Sequence, residues 1–189
     1  TGSGKSCGVS RMVQNIFLNK FAKVKNANMF IFDAYGEYKG KGFYYRTQRA
    51  DDKGQFEPFA WDENDVGKTP LKYFQKIVEF CKKNNIELTC VTTTITPKAA
   101  LDGVSEETGR WFANLCSQNG VRYIDFNLVS LDELERTDDD FADWEGHMMG
   151  WMAEKYSEVL AKVIRGDNIR FYKDYQEYRM AYESRKGIK

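Results

Sequence analysis

Apolar residues recur at helical spacing over residues 9–25, where Val9, Met12, Val13, Ile16, Phe17 and Val24 share a face. Asn26 to Asn28 break this pattern before the apolar run Met29-Phe-Ile-Phe32, so the spacing predicts a helix, a turn and a buried strand. Periodicity is lost over residues 35–68, which are rich in Gly, Tyr and charge and carry Tyr38-Lys-Gly-Lys-Gly-Phe43 and Phe56-Glu-Pro-Phe-Ala-Trp61. A long aromatic loop of this kind is expected to be ordered and functional. Helical spacing returns at Leu71, Phe74, Ile77, Val78 and Cys81, with Thr69 as the expected N-cap, Pro70 at the first helical position and Asn84-Asn85 as the stop. The β-branched run Ile86 to Thr93 predicts a strand, and Ser105 is expected to cap a helix carrying Trp111, Phe112 and Leu115. Asn119-Gly120 then turns the chain into a strand at Val121-Arg-Tyr-Ile-Asp-Phe126, and a helix is expected at about 150–165. Helices alternating with continuously apolar strands predict an α/β fold with a mostly parallel sheet covered on both faces. Residues 1–166 read as one domain, and the tyrosine-rich residues 167–189 read as a final helix or docked tail.

Composition narrows the function classes. Twenty-eight basic residues balance twenty-eight acidic ones across 189 residues, which gives no support for a dedicated nucleic-acid surface. No apolar run approaches the roughly 20 residues that span a bilayer. Cys7, Cys81, Cys90 and Cys116 lie far apart with no Cys-x-x-Cys pair, and the chain has a single histidine, so no metal site is expected. Widely spaced thiols of this kind suit a reducing interior.

The single histidine, His147, stands in Phe141-Ala-Asp-Trp-Glu-Gly-His-Met-Met-Gly, four residues after Asp143 and two after Glu145. A carboxylate beside an imidazole fixes its tautomer and stabilises its charged form, so Asp143 or Glu145 with His147 reads as an acid/base pair. A surface histidine that caps a helix is the bland alternative. In an open parallel sheet, ligand-binding groups gather at the strand carboxyl ends. Thr92-Thr-Thr-Ile-Thr-Pro97, Asp125-Phe-Asn127 and the loop of His147 converge there, which makes Thr94, Thr96 and Asn127 candidate substrate or oxyanion groups. The threonines equally suit a strand that ends in a turn at Pro97.

At the other end, Thr1-Gly-Ser-Gly-Lys-Ser6 has the form of the last part of a P-loop, with Gly4, Lys5 and Ser6 as candidate phosphate and Mg²⁺ groups. The pattern's first Gly and its feeding strand would lie before Thr1, so the expectation is a chain cut inside a nucleotide-binding loop, or a flexible Gly/Ser start.

Two resemblances follow. From about Tyr38 to Ile164 the chain resembles the C-terminal part of an SGNH (GDSL-type) hydrolase, akin to bacterial D-alanyl transfer and polysaccharide acyltransferase proteins. The resemblance is carried by Tyr38 to Phe43, Tyr73 to Leu88, Thr96-Pro97, Tyr123 to Asn127 and Gly146 to Ala153. It implies a three-layer α/β/α, flavodoxin-like fold and an extracytoplasmic ester hydrolase or acyltransferase without a cofactor. Its substrate would be an acylated glycan or a small acyl ester, and its proton carrier His147. The family's acid would fall at Trp144 rather than Asp143, and no Gly-Asp-Ser block is present to supply a nucleophile.

Residues 1–38 resemble the start of a HerA/FtsK-type ATPase, through Thr1 to Ser6, the amphipathic helix and Met29-Phe-Ile-Phe-Asp-Ala-Tyr-Gly-Glu-Tyr38. This resemblance implies ATP and Mg²⁺. An apolar strand ending in Asp-Glu is missing, since Ser130 interrupts Val129-Ser-Leu-Asp-Glu133. The SGNH reading is preferred, with the ATPase second and a non-catalytic domain that binds glycan or protein third.

Overall fold

The structure, a computed structural model, describes residues 28–31, 45–48, 53–144 and 146–187. The predicted helix over 9–25, together with Gly4, Lys5, Ser6, Asp33 and Glu145, lies outside the described residues.

Among the described residues three parallel strands form a sheet in chain order: β1 (Asn28–Ile31), β2 (Glu87–Thr92) and β3 (Arg122–Asp125). Asn28 pairs with Glu87 and Ile31 with Cys90, while Thr89 pairs with Arg122 and Thr92 with Asp125. Parallel neighbours need a crossover long enough to return the chain to the same edge. Helix α1 (Lys68–Lys83) provides it between β1 and β2, and α2 (Pro97–Ala100) with α3 (Val104–Gln118) between β2 and β3.

The period of two along the strands divides the core. Leu88, with half-buried Cys90 and Tyr123, faces Val78 and Cys81 of α1 and Cys116 of α3. Val91 and Ile124 face the other way, onto Met152, Tyr156, Val159, Leu160 and Val163 of α4 (Gly150–Arg165). Helices therefore cover both faces, as the continuously apolar strands require. Phe126, fully buried against Tyr156 with ring centroids 5.0 Å apart, anchors the second face.

Both helix-to-strand junctions use one device. Asn84 caps the end of α1, Asn85 takes a left-handed φ of 53°, and the Ile86 N–H returns to the Cys81 carbonyl at 2.9 Å. After α3, Gly120 takes φ 63° and the Val121 N–H returns to the Cys116 carbonyl at 2.9 Å. This closure satisfies carbonyls that a helix end otherwise leaves open.

Two caps differ from expectation. Helix α1 begins at Lys68 behind Gly67, so Thr69 lies inside the first turn and is not the cap. Pro70 still fits, because an N–H in the first turn has no helical partner. Helix α3 begins behind Gly103 at φ 108°, where the Asp102 carboxylate accepts from the Val104 N–H at 3.0 Å. Ser105 is instead buried and donates to the Ala99 carbonyl at 3.4 Å, because α2 packs over it.

The chain after α4 folds back on the sheet. Phe171 bridges Val129, the Tyr172 N–H meets the Leu128 carbonyl at 2.7 Å, and α5 (Tyr175–Lys186) follows with Asp174 as its cap. Tyr172, Tyr175 and Tyr178 are buried with Ala100, Leu101 and Leu131.

Candidate functional site

His147 lies in a loop closed at its base by the antiparallel bridge of Phe141 with Met148 and by the Ala142 N–H donating to the His147 carbonyl at 2.8 Å. Gly146 turns this loop at φ 95°, with its α-carbon pressed on Ile95, so a Cβ there would sit 2.5 Å from the Ile95 side chain. That contact brings the histidine loop to the segment leaving β2, at the carboxyl edge of the sheet.

Asp143 holds the histidine in two ways. Its Oδ2 lies 2.6 Å from Nδ1 of His147, and its Oδ1 accepts from the His147 backbone N–H at 3.2 Å. The His147 side chain keeps 29% of its surface and that of Asp143 33%. The contact to Nδ1 fixes the orientation of the ring and leaves Nε2 as the nitrogen that Asp143 does not hold. The second bond, to the backbone, also makes Asp143 a brace for the loop.

Thr94, Thr96 and Asn127 do not reach an open site. Thr94 and Thr96 have no exposed surface, and Asn127 keeps 2%. Thr96 caps α2, its Oγ1 accepting from the Ala99 N–H at 3.3 Å, while Asn127 Oδ1 accepts from the Ile95 N–H at 3.0 Å. Their polar atoms serve the turn that carries the chain from β2 into α2, as the turn-forming reading of Pro97 allowed.

Asp125, at the end of β3, accepts from the Tyr175 hydroxyl at 2.7 Å and from the Asn127 N–H at 3.0 Å. Burial raises its carboxyl pKa against the opposing pull of these donors and of Arg136. Burial, then the charge of Asp125, pushes the Tyr175 hydroxyl well above the ordinary tyrosine value, and the same two causes act on Tyr123. Tyr123 in turn shares a 2.6 Å hydrogen bond with Thr92. The tyrosine from α5 is the member of this group that sequence reasoning missed, because its contact with Asp125 spans fifty residues and leaves no local period.

Arg136 was also missed. It is 2% exposed, donates to the carbonyls of Asn127, Val129 and Leu134 at 2.7, 3.1 and 2.9 Å, and lies 5.0 Å from the Tyr178 ring centroid. A guanidinium can satisfy several carbonyls from one plane, which suits it to lock the irregular segment after β3. Val129 to Glu133 lies in that segment and forms no strand.

Residues 1–90 match the family model of the helicase HerA central domain. No curated protein and no solved structure matches the chain. The HerA match runs well past Tyr38, through the aromatic loop and α1 into β2, ending at Cys90. It overturns the SGNH reading, since two of the segments that carried that resemblance, Tyr38 to Phe43 and Tyr73 to Leu88, lie inside the HerA-matched span. Ester hydrolysis and acyl transfer are accordingly replaced by a P-loop ATPase resemblance. The expectation of no cofactor is corrected with them, because a HerA-type domain implies ATP and Mg²⁺.

Among the described residues no group of three or more His, Cys, Asp or Glu is placed to hold a metal ion, and no helix is long and apolar enough to cross a membrane.

Proposed function

We propose that the chain carries the nucleotide-binding start of a HerA-type P-loop ATPase. The match of residues 1–90 to the helicase HerA central domain carries this reading. The donor set fits the group it would hold: backbone N–H groups around Gly4 for phosphate, the Lys5 ammonium for the terminal phosphates, and the Ser6 hydroxyl with the Asp33 carboxylate for Mg²⁺. Bound Mg-ATP would supply the transferable phosphoryl group and the charge neutralisation that such transfer needs. In sequence Asp33 follows the apolar run Met29-Phe-Ile-Phe32, the kind of position from which a strand offers ligand groups in open α/β sheets.

The matched family is named for a helicase, so the partner expected under this reading is nucleic acid in place of an acylated glycan. His147 and Asp143 lie beyond the matched residues and have no assigned part in it.

Calorimetric titration of the chain with Mg-ATP tests the reading. A dissociation constant on the order of micromolar is expected, weakened by about a hundredfold in Lys5→Ala through loss of a charged phosphate contact. Absence of heat up to millimolar nucleotide, or equal binding by Lys5→Ala, overturns it.

A further inference from the structure

The outer side of α3 bears an open depression of about 340 Å³ that the nucleotide reading does not use. Two of its walls are indoles: Trp61, from the loop before α1, and Trp111, from α3, with ring centroids 5.6 Å apart and planes inclined at 68°. Phe112 extends the aromatic surface, with its ring centroid 5.0 Å from that of Trp111 and 39% of the residue exposed. None of these three rings joins the hydrophobic clusters of the core. Trp61 and Trp111 are half-buried and Phe112 is exposed, so part of this aromatic surface faces solvent.

The remaining walls are unbalanced in charge. Asp62, Glu63 and Glu107 contribute three carboxylates against the single guanidinium of Arg110. That guanidinium is paired at 3.0 Å with Glu106, which is not among the residues that line the depression. Among the described residues no lysine or arginine lies within ion-pair distance of Asp62, Glu63 or Glu107. Asp62 is partly committed, since its Oδ1 accepts from the Asn64 backbone and side-chain nitrogens at 2.8 and 2.7 Å. Glu107 sits in the first turn of α3, where the helix dipole favours a negative charge.

Indole faces attract cations through their quadrupole, and carboxylates beside them attract the same charge. A neutral sugar could stack on one ring but would leave the excess negative charge unanswered. We propose that this corner binds a compact organic cation of the alkylated ammonium class. Its methyl or methylene groups would lie against Trp61 and Trp111, with its charge balanced by Glu63 and Glu107. The site lies outside the residues assigned to ATP and stands or falls independently of them.

Choline is the probe, with its neutral isostere 3,3-dimethylbutan-1-ol and glucose as comparisons, titrated into the full chain by calorimetry. Choline is expected to bind with a dissociation constant on the order of 1 mM, and the neutral isostere about tenfold more weakly. The double variant Glu63→Gln/Glu107→Gln, which alters two surface side chains, should weaken choline by about fivefold, and Trp61→Ala should abolish binding. Added salt should weaken choline and leave the isostere unchanged. Equal binding of choline and its isostere overturns the proposal, as does binding of glucose alone. Unchanged choline affinity in the double variant, or no choline heat at all, overturns it too.

Discussion

Burial raises the pKa of the Asp125 carboxyl above its ordinary 3.8, although the Tyr175 hydroxyl, the Asn127 amide and Arg136 all favour the charged form. The unfolded chain therefore releases this proton at lower pH than the folded chain. Between the two values the folded state holds more protons, so its stability falls as pH rises through that window. Asp125→Asn keeps an acceptor for Tyr175 and removes the titration. Urea unfolding at about pH 4 and about pH 7 should show the variant gaining on the wild type as pH rises. A gap that stays constant, or moves the other way, would show that the donors outweigh burial. Asp125 was legible in the sequence as a polar residue at a strand end, whereas spacing left both Asp143 and Glu145 as partners for His147, and it is Asp143 that lies 2.6 Å from Nδ1. The burial of Thr94 and Thr96 after β2 was not legible, because polarity says where a hydroxyl can bond and not whether the turn around it faces inward. Thr94 and Thr96 were enclosed by contacts from distant segments that no local pattern records.

Helix α3 approaches β3 closely at Gly109. A Cβ at this position would stand 2.7 Å from Asp125 Oδ2, an oxygen already fixed by its bond to Tyr175. Glycine in a helix interior ordinarily costs stability relative to alanine, so the residue type is explained here by the approach rather than by helix propensity. Gly109→Ala should lower stability by about 1–3 kcal/mol through overpacking, despite its better propensity. Ser117→Ala, on the exposed side of the same helix, serves as the control and should change stability by no more than about 0.5 kcal/mol. Equal unfolding midpoints in urea for Gly109→Ala and the control would refute the tight contact. The main elements were visible at this scale because their apolar periods are long: α1, β2, α3, β3 and α4 all fall within a few residues of the expected bounds. The caps were not, since Asp102 supplies through its side chain what Ser105 was expected to supply, and either residue suits an N-terminus.

Cys81, Cys90 and Cys116 come from α1, β2 and α3 and lie together in the core of one sheet face, all as free thiols. Burial raises the pKa of Cys81, and the hydrogen bond that the Cys116 thiol donates to Cys90, followed by burial, raises that of Cys116. Thiolates are the reactive form, so labelling of Cys81 and Cys116 should be far slower in the native chain than in urea and should report opening of the sheet. Mass spectrometry after a short exposure to iodoacetamide checks this. Prompt modification of both residues in the native state would contradict their burial. The parallel sheet itself was legible from alternating elements, whereas the choice between two enzyme classes was not, because the aromatic loop and α1 carry patterns that suit either. The return of residues 171–178 to the sheet has a consequence for synthesis. β3 is complete at Asp125, but its partner Tyr175 is added fifty residues later. At about 5–20 residues per second, a ribosome leaves an interval of roughly 3–10 s in which that strand end has emerged without the hydroxyl that bonds it. A nascent chain in that interval exposes the surface later covered by Tyr172 and Tyr178, so this is the stage at which a chaperone would find it.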